Sequence, residues 1–305
     1  MAFRILPKLI YDEGHAYSSP LSGSGNEDSV ESMTINDLKR YYNTWFKPNN
    51  ATLIVTGDTT IEEIKPMLEQ AFKSWKKAEV PQKKLGLVEK PAQSIIYLID
   101  RPNSQQSAII NAQIMPRYGF ENEMPLQAMN EVIGGSFNAR MNMNLREDKH
   151  WSYGAHTQIQ NTQAQRPMIT TAPVQSDKTA ESILEIYNEF SGITGEKPAT
   201  VDELARAMDK KVLTLPGRWE TAAAVERDLA NMVRFGLDDE YWNTYPQKVR
   251  SVKLEQVNSI AKTLINTEQM IWVIVGDMKE NGKKIEDLKL GKVIYLDVDG
   301  NVIEK

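Results

Sequence analysis

The chain has 305 residues, of which 41% are apolar, with a net charge of −5 and no cysteine. That length and apolar content suit two domains with real cores, and the acidic balance without a basic run gives no footprint for nucleic acid. Without cysteine there is no disulfide framework and no thiolate nucleophile or ligand, which fits the cytosol and an oxidising compartment alike, and no run of eighteen apolar residues spans a membrane.

In chain order, residues 6–11 read as the end of a helix and residues 14–26 as a loop rich in Gly, Ser, Pro and Tyr. Thr34 is a candidate N-cap, with Asp37 three residues on and Ile35, Leu38, Tyr41, Tyr42 and Trp45 as an apolar stripe. After the turn at Pro48-Asn49-Asn50, residues 51–56 read as a short buried strand. Gly57-Asp58 leads to a helix with Ile61, Ile64, Leu68 and Phe72 on one face, which Pro66 should bend or shift. Residues 76–93 are polar, hold Pro81, Gly86 and Pro91, and lack a period, as a linker does. We therefore divide the chain into residues 1–80, the C-terminal part of an incomplete domain, a linker at 81–93, and a complete domain at 94–305.

In that domain residues 95–99 and 108–115 read as strands, and residues 124–133 as a helix broken by Gly134-Gly135. Residues 137–146 read as a further helix whose Phe137, Met141 and Leu145 stripe is core. Strands at 153–160 and 168–173 follow, then a helix capped by Asp177. Helices are expected at 201–215, 221–235, 239–249 and 254–264, a strand at 270–275, a short helix at 285–290 and a strand at 292–296. The fold class expected is α+β, with long helices packed on one side of a mostly antiparallel sheet.

One pattern occurs twice. Residues 32–58, SMTINDLKRYYNTWFKPNNATLIVTGD, align without a gap to residues 251–277, SVKLEQVNSIAKTLINTEQMIWVIVGD, at an offset of 219. Each copy is a capped helix followed by an apolar strand that stops at Gly-Asp. The second copy has a full domain before it and the first only a tail, which reads as a duplicated unit of roughly 200 residues.

Candidate chemistry is sparse. The three histidines, His15, His150 and His156, form no HxxEH or HxxxH pair, whereas zinc sites need three or four placed ligands. Glu147-Asp148 reads as part of a charged patch with Arg146 and Lys149 more readily than as a catalytic pair. Ser136 lacks a GxSxG context and reads as a helix cap, and Gly134-Gly135 lacks nucleotide-loop spacing. The segment around it stands out: two glycines, Arg140, Arg146, Trp151 and Tyr153 within twenty residues. Arg140 and Arg146 cannot share one helix face. Arg146, at the helix end, could offer its planar fork to a carbonyl or carboxylate beside the Tyr153 hydroxyl, or be held in a structural ion pair.

This segment resembles the second half of the pitrilysin/insulinase-like zinc metallopeptidases, the family that includes the mitochondrial processing peptidase. The resemblance rests on Gly134-Gly135, Leu145-Arg146-Glu147 and Trp151-Ser152-Tyr153-Gly154, on the turn Pro48-Asn49-Asn50-Ala51 before Gly57-Asp58, and on the repeat. It covers nearly the whole chain. It implies tandem αβ domains, with zinc held by an HxxEH motif and a downstream Glu in a first domain, outside this sequence. It implies no cofactor or metal in this chain, which should be inactive alone. It also implies Arg146 and Tyr153 as catalytic and substrate-binding residues that hold a substrate carbonyl, with Gly154 beside them in the binding site.

The implied partners are a peptide or polypeptide substrate and upstream catalytic domains or a catalytic partner subunit. In the four-domain members this chain would be the end of the third domain and the fourth, a placement that the run at 21–26 suits; a second domain or a non-catalytic subunit is the alternative. A parent in the bacterial periplasm or cell envelope is expected, with the cytoplasm as the other option. Three readings follow: the substrate-clasping portion of a zinc endopeptidase, a structural partner module, and a self-sufficient enzyme using His150, His156 and Glu147. An incomplete residue 1–80 unit should expose an apolar face or sheet edge that invites dimerisation.

Overall fold

A computed structural model describes every residue except Asp12, Leu21, Ser22 and Lys305; the first two residues of the 21–26 run therefore lie outside the described residues. Among the described residues, positions 1–94 hold helices and no strand: α1 (Ala2–Ile10), α2 (Glu27–Glu31), α3 (Ile35–Trp45) and α4 (Ile61–Phe72). The remainder runs β1 (Ile95–Asp100), β2 (Gln106–Met115), α5 (Glu123–Ile133), α6 (Arg140–Asn142), β3 (His156–Ile159) and β4 (Arg166–Gln175). It continues through α7 (Thr179–Thr194), α8 (Val201–Leu213), α9 (Ala222–Phe235), α10 (Tyr241–Arg250), α11 (Leu254–Leu264), β5 (Ile271–Gly276), α12 (Met278–Asp287) and β6 (Lys292–Leu296).

The six strands form one sheet in the order β3-β4-β2-β5-β1-β6. It is mixed where a mostly antiparallel sheet was expected. β2, β3, β4 and β5 pair antiparallel, but β1 is parallel to both β5 and β6. The reason is the crossover through α12, which carries the chain from β5 past β1 to β6; a parallel return needs such a connection.

One face of the sheet carries Ile96, Leu98, Ile109 and Trp272 into a core shared with α5, α7, α11 and α12. The other face carries Ile99, Ile110, Val273 and Val275 and is covered by α1 through Ile5, Leu6 and Ile10. Helix α1 thus packs on the sheet of residues 94–305, apart from the rest of residues 1–80. Tyr11 after it donates to the Gln165 carbonyl at 3.0 Å, and the Val88 N–H donates to Gln165 Oε1 at 2.6 Å. His15 stacks on Tyr11 and its Nδ1 accepts the Tyr17 N–H, so its Nε2 donates to the Gly86 carbonyl at 3.1 Å. That histidine is a structural clasp.

The two copies of the repeat fold alike where the fold is local. Shifted by 219, the bounds of α3 fall on those of α11. Thr34 and Asp37 form a capping box at the start of α3, and Gln256 accepts the Lys253 N–H before α11. They differ where partners are needed. β5 is wholly buried between β1 and β2. Its counterpart at 51–56, expected as a buried strand, is no strand at all: it is unpaired, with Leu53 58% exposed. A strand needs a neighbour for its backbone groups, and none of the described strands lies beside it. Neither α3 nor α4 buries a residue, so Ile35, Leu38, Tyr41, Tyr42, Ile61 and Phe72 stand as an exposed apolar surface. Pro66 lies inside α4 and leaves its start at Ile61, because the Thr60–Glu63 capping box fixes that start.

Candidate functional site

The site begins where α5 ends. The Gly134 and Gly135 N–H groups both donate to the Asn130 carbonyl, at 3.0 and 2.7 Å, and the Thr157 N–H donates to the Gly134 carbonyl at 2.9 Å. A Cβ on Gly134 would stand 2.6 Å from Thr157 Oγ1 and 2.7 Å from its backbone nitrogen; one on Gly135 would meet Asn130 Nδ2 at 2.7 Å. Gly134 is there because α5 and β3 touch through backbone, and Gly135 because the chain folds back on the last turns of α5. Ser136, read as a helix cap, instead turns its hydroxyl back to the Glu131 carbonyl at 3.3 Å.

The expected helix over 137–146 is shorter and wider. It starts at Arg140 and passes into a π-helical turn over Met143–Asp148, with the Lys149 N–H donating to the Asn144 carbonyl at 2.9 Å. Such turns are rare and concentrate at functional sites. Phe137, expected in the core stripe, precedes the helix and is 60% exposed, while Met141 and Leu145 are buried. Asn142 locks the entry: its Nδ2 donates to the Phe137 carbonyl at 2.7 Å and its Oδ1 accepts the Ala155 N–H at 3.1 Å. Asn144 Nδ2 anchors the turn to Glu185 and Glu189 of α7 at 2.9 and 2.8 Å.

The two arginines separate as their spacing requires. Arg140 is bound to Glu203 at 2.6 and 2.7 Å and donates to the Pro198 carbonyl at 2.9 Å, so it is structural. Arg146 is half-exposed. Its guanidinium lies 4.7 Å from the Phe137 ring centre, and its Nε is 3.4 Å from Glu147 Oε1, also half-exposed. An adjacent, solvated pair of this kind contributes at most about 1 kcal/mol and leaves the outer nitrogens available.

Tyr153 was expected at the start of a strand; it sits in a bend before β3, 87% exposed. Ser152 makes the bend by donating to the Pro173 carbonyl at 2.6 Å and accepting the Gly154 N–H at 3.1 Å. The Gln175 N–H donates to the Trp151 carbonyl at 2.9 Å and closes the other side. Asp177, read as a cap, lies in a 3₁₀ turn, and α7 starts at Thr179 with no side-chain cap.

Arg146 and Tyr153 line one open cleft of about 380 Å³, with Glu147, His150, Gln106 and Gln175. Gln106 and Gln175 face each other across β2 and β4. Gly154 does not line the cleft; its N–H is already taken by Ser152. The guanidinium and phenol can donate to a carbonyl or carboxylate, and Glu147 and the glutamine oxygens can accept N–H groups. Sequence reasoning missed Phe137 as the platform under Arg146, because a period of four assigns it to the core. It also missed the glutamine pair, which only strand register brings together.

No group of three metal-ligating side chains converges among the described residues. His15 is tied to Gly86, and His150 Nδ1 is 3.0 Å from the Arg146 carbonyl. His156 is on β3, outside the cleft.

Residues 32–211 match the peptidase M16 inactive domain, and the chain belongs to this pitrilysin/insulinase-like family. It is 24% identical over 274 residues to a Bacillus subtilis (strain 168) protein named "Uncharacterized zinc protease YmxG", covering 88% of this chain and 64% of that protein. It is 20% identical over 287 residues to a Helicobacter pylori (strain ATCC 700392 / 26695) protein named "Non-peptidase homolog YmxG", covering 92% and 64%. This chain thus spans about two thirds, 64%, of the length of either relative. Its fold matches the crystal structure of a peptidase M16 inactive domain from Pseudomonas fluorescens with a TM-score of 0.77 at 20% identity, over 89% of this chain and 63% of that one. Among the described residues no helix is long and apolar enough to cross a membrane.

Proposed function

We propose that this chain forms the wall of a peptidase chamber and holds the backbone of a polypeptide substrate there, without cleaving it alone. The observation that carries the reading is the convergence of Arg146 and Tyr153 on one open cleft, presented by a π-helical turn and a tight bend. Both side chains donate hydrogen bonds, so together they can hold a substrate carbonyl and stabilise negative charge that develops on its oxygen. In this reading the zinc chemistry belongs to a segment or subunit outside this sequence, since no group of three metal-ligating side chains converges among the described residues.

The unit expected over residues 1–80 is narrowed in this reading to residues 27–80, because α1 packs on the sheet of residues 94–305, and is read as the end of a preceding domain homologous to them. The matching bounds of α3 and α11 support this, and so does the apolar surface of α3, whose counterpart on α11 is packed against α5 and α7. In the chain by itself that surface invites pairing with a second copy.

The second reading is a non-catalytic partner that only completes a chamber, favoured by the "non-peptidase homolog" name of the Helicobacter pylori relative. The experiment is to assay peptide cleavage and zinc content of this chain with and without the upstream region of its own gene product. Cleavage and zinc that appear only with that region, and turnover lost in Arg146→Ala at unchanged stability, support the clasping role. Absence of both with that region present favours the partner reading, and normal turnover in Arg146→Ala sinks the role given to Arg146.

A further inference from the structure

His150 occupies the residue after the helix C-cap with φ of +58°. That left-handed conformation is one glycine takes freely and other residues rarely adopt. The ring is held as well as the backbone. Nδ1 lies 3.0 Å from the Arg146 carbonyl, and the His150 carbonyl accepts from Gln175 Nε2 at 3.3 Å. A carbonyl only accepts, so Nδ1 carries the hydrogen. In the neutral ring Nε2 is then a bare acceptor, on a residue that lines the same cleft as Arg146 and Tyr153.

One cleft is therefore lined by a donor, Arg146, and an acceptor, His150, that come from the same turn. In an extended chain the N–H and C=O of one residue point to the same side, which is how paired strands exchange two bonds through a single residue. We infer that His150 is a third substrate contact: its Nε2 accepts the backbone N–H of the residue whose carbonyl Arg146 holds. This rests on the carbonyl-binding reading of Arg146. It adds a specificity: the residue held there carries an amide hydrogen, so proline and other N-substituted residues are disfavoured at that position.

The test is a titration of the full chain, labelled at its histidine nitrogens, with capped pentaalanine and with its five singly N-methylated forms, read by NMR. In the wild type one N-methylated form binds about fivefold more weakly than the parent peptide, the loss expected for one neutral hydrogen bond, and the His150 Nε2 resonance moves only with peptides that keep that N–H. His150→Gly suits the backbone conformation and removes the acceptor; it should bind the parent peptide about fivefold more weakly and bind the discriminated N-methyl form equally well. The same N-methyl penalty in wild type and His150→Gly, with affinity still lost in Arg146→Ala, overturns the role of His150 alone. Unchanged affinity in Arg146→Ala, or no saturable binding of any peptide to the wild type, overturns the carbonyl reading and the role of His150 with it.

Discussion

The guanidinium of Arg146 lies over the ring of Phe137, 4.7 Å from its centre, although nine positions separate them in the chain. The ring is largely in solvent and adds little to the core, so its effect falls on where the arginine points. An exposed cation–π contact is worth about 0.5–1 kcal/mol. Phe137→Leu should therefore weaken binding of capped peptides about two- to fivefold while leaving the melting temperature unchanged, and Phe137→Tyr should restore it. A melting temperature that falls with the affinity would make the ring a packing element.

Arg166 and Glu123 form a buried ion pair at 2.5 Å, with the arginine side chain 1% exposed. Arg166 also donates to the Pro116 carbonyl and Asn161, and Glu123 accepts the Gly119 N–H. Removing one partner strands the other charge, which costs about 3–5 kcal/mol. Arg166→Leu should lower stability by that amount in urea unfolding, and adding Glu123→Leu should recover part of it. Additive losses in the double variant would refute the coupling.

Gly134→Ala places a methyl group against the Thr157 side chain and 2.7 Å from its backbone nitrogen, which cannot turn away. Overpacking of this kind costs about 1–3 kcal/mol. Chemical denaturation should show that loss, with hydrogen exchange quickening first at the Thr157 amide. A neutral outcome would mean that α5 and β3 separate easily.

Glu203 supplies a pH dependence. Burial alone would raise its pKa, but hydrogen bonds from Arg140 and from the Thr200 backbone hold the carboxyl below the usual carboxylate range. The folded value is depressed, so the stabilisation is present above the unfolded value and is lost as pH falls through the folded one. Glu203→Gln should cost stability at pH 7 and progressively less on acidification below pH 4. An equal cost at pH 7 and pH 3 would assign the effect to packing.

Local signals in the sequence were read correctly where the structure they specify is local. The Thr34–Asp37 pair places the start of α3, and the helix expected over 221–235 is found as α9 at Ala222–Phe235, ended by Gly236, left-handed at φ of +61°. The misreadings share a cause. Residues 51–56 have the apolar run of a strand, but pairing is not a local property. Phe137 has the spacing of a core residue, but Asn142 fixes the chain so that the helix begins after it. Tyr153 was placed on β3 because alternation does not reveal the bend that Ser152 makes by reaching Pro173 on another strand. The cleft was legible as Arg146 and Tyr153 only; Gln106 and Gln175 meet through register, and His150 enters through a backbone angle.

The bond between His15 and the Gly86 carbonyl means that the chain departs from the folded body and returns to it at one point. Beyond Tyr17, which still packs on the α1-covered face, the described residues between are an excursion whose ends already touch. Closing a loop costs entropy that grows only slowly with its length, so the excursion should be removable by protein engineering. A short glycine-serine bridge from residue 18 to residue 86 would keep Tyr17, the sheet, both of its covered faces and the cleft, and would discard α2, α3 and α4 with their exposed apolar surface. What remained would be a smaller protein without the apolar surface of α3 and α4, in which the proposed peptide binding could be tested by itself.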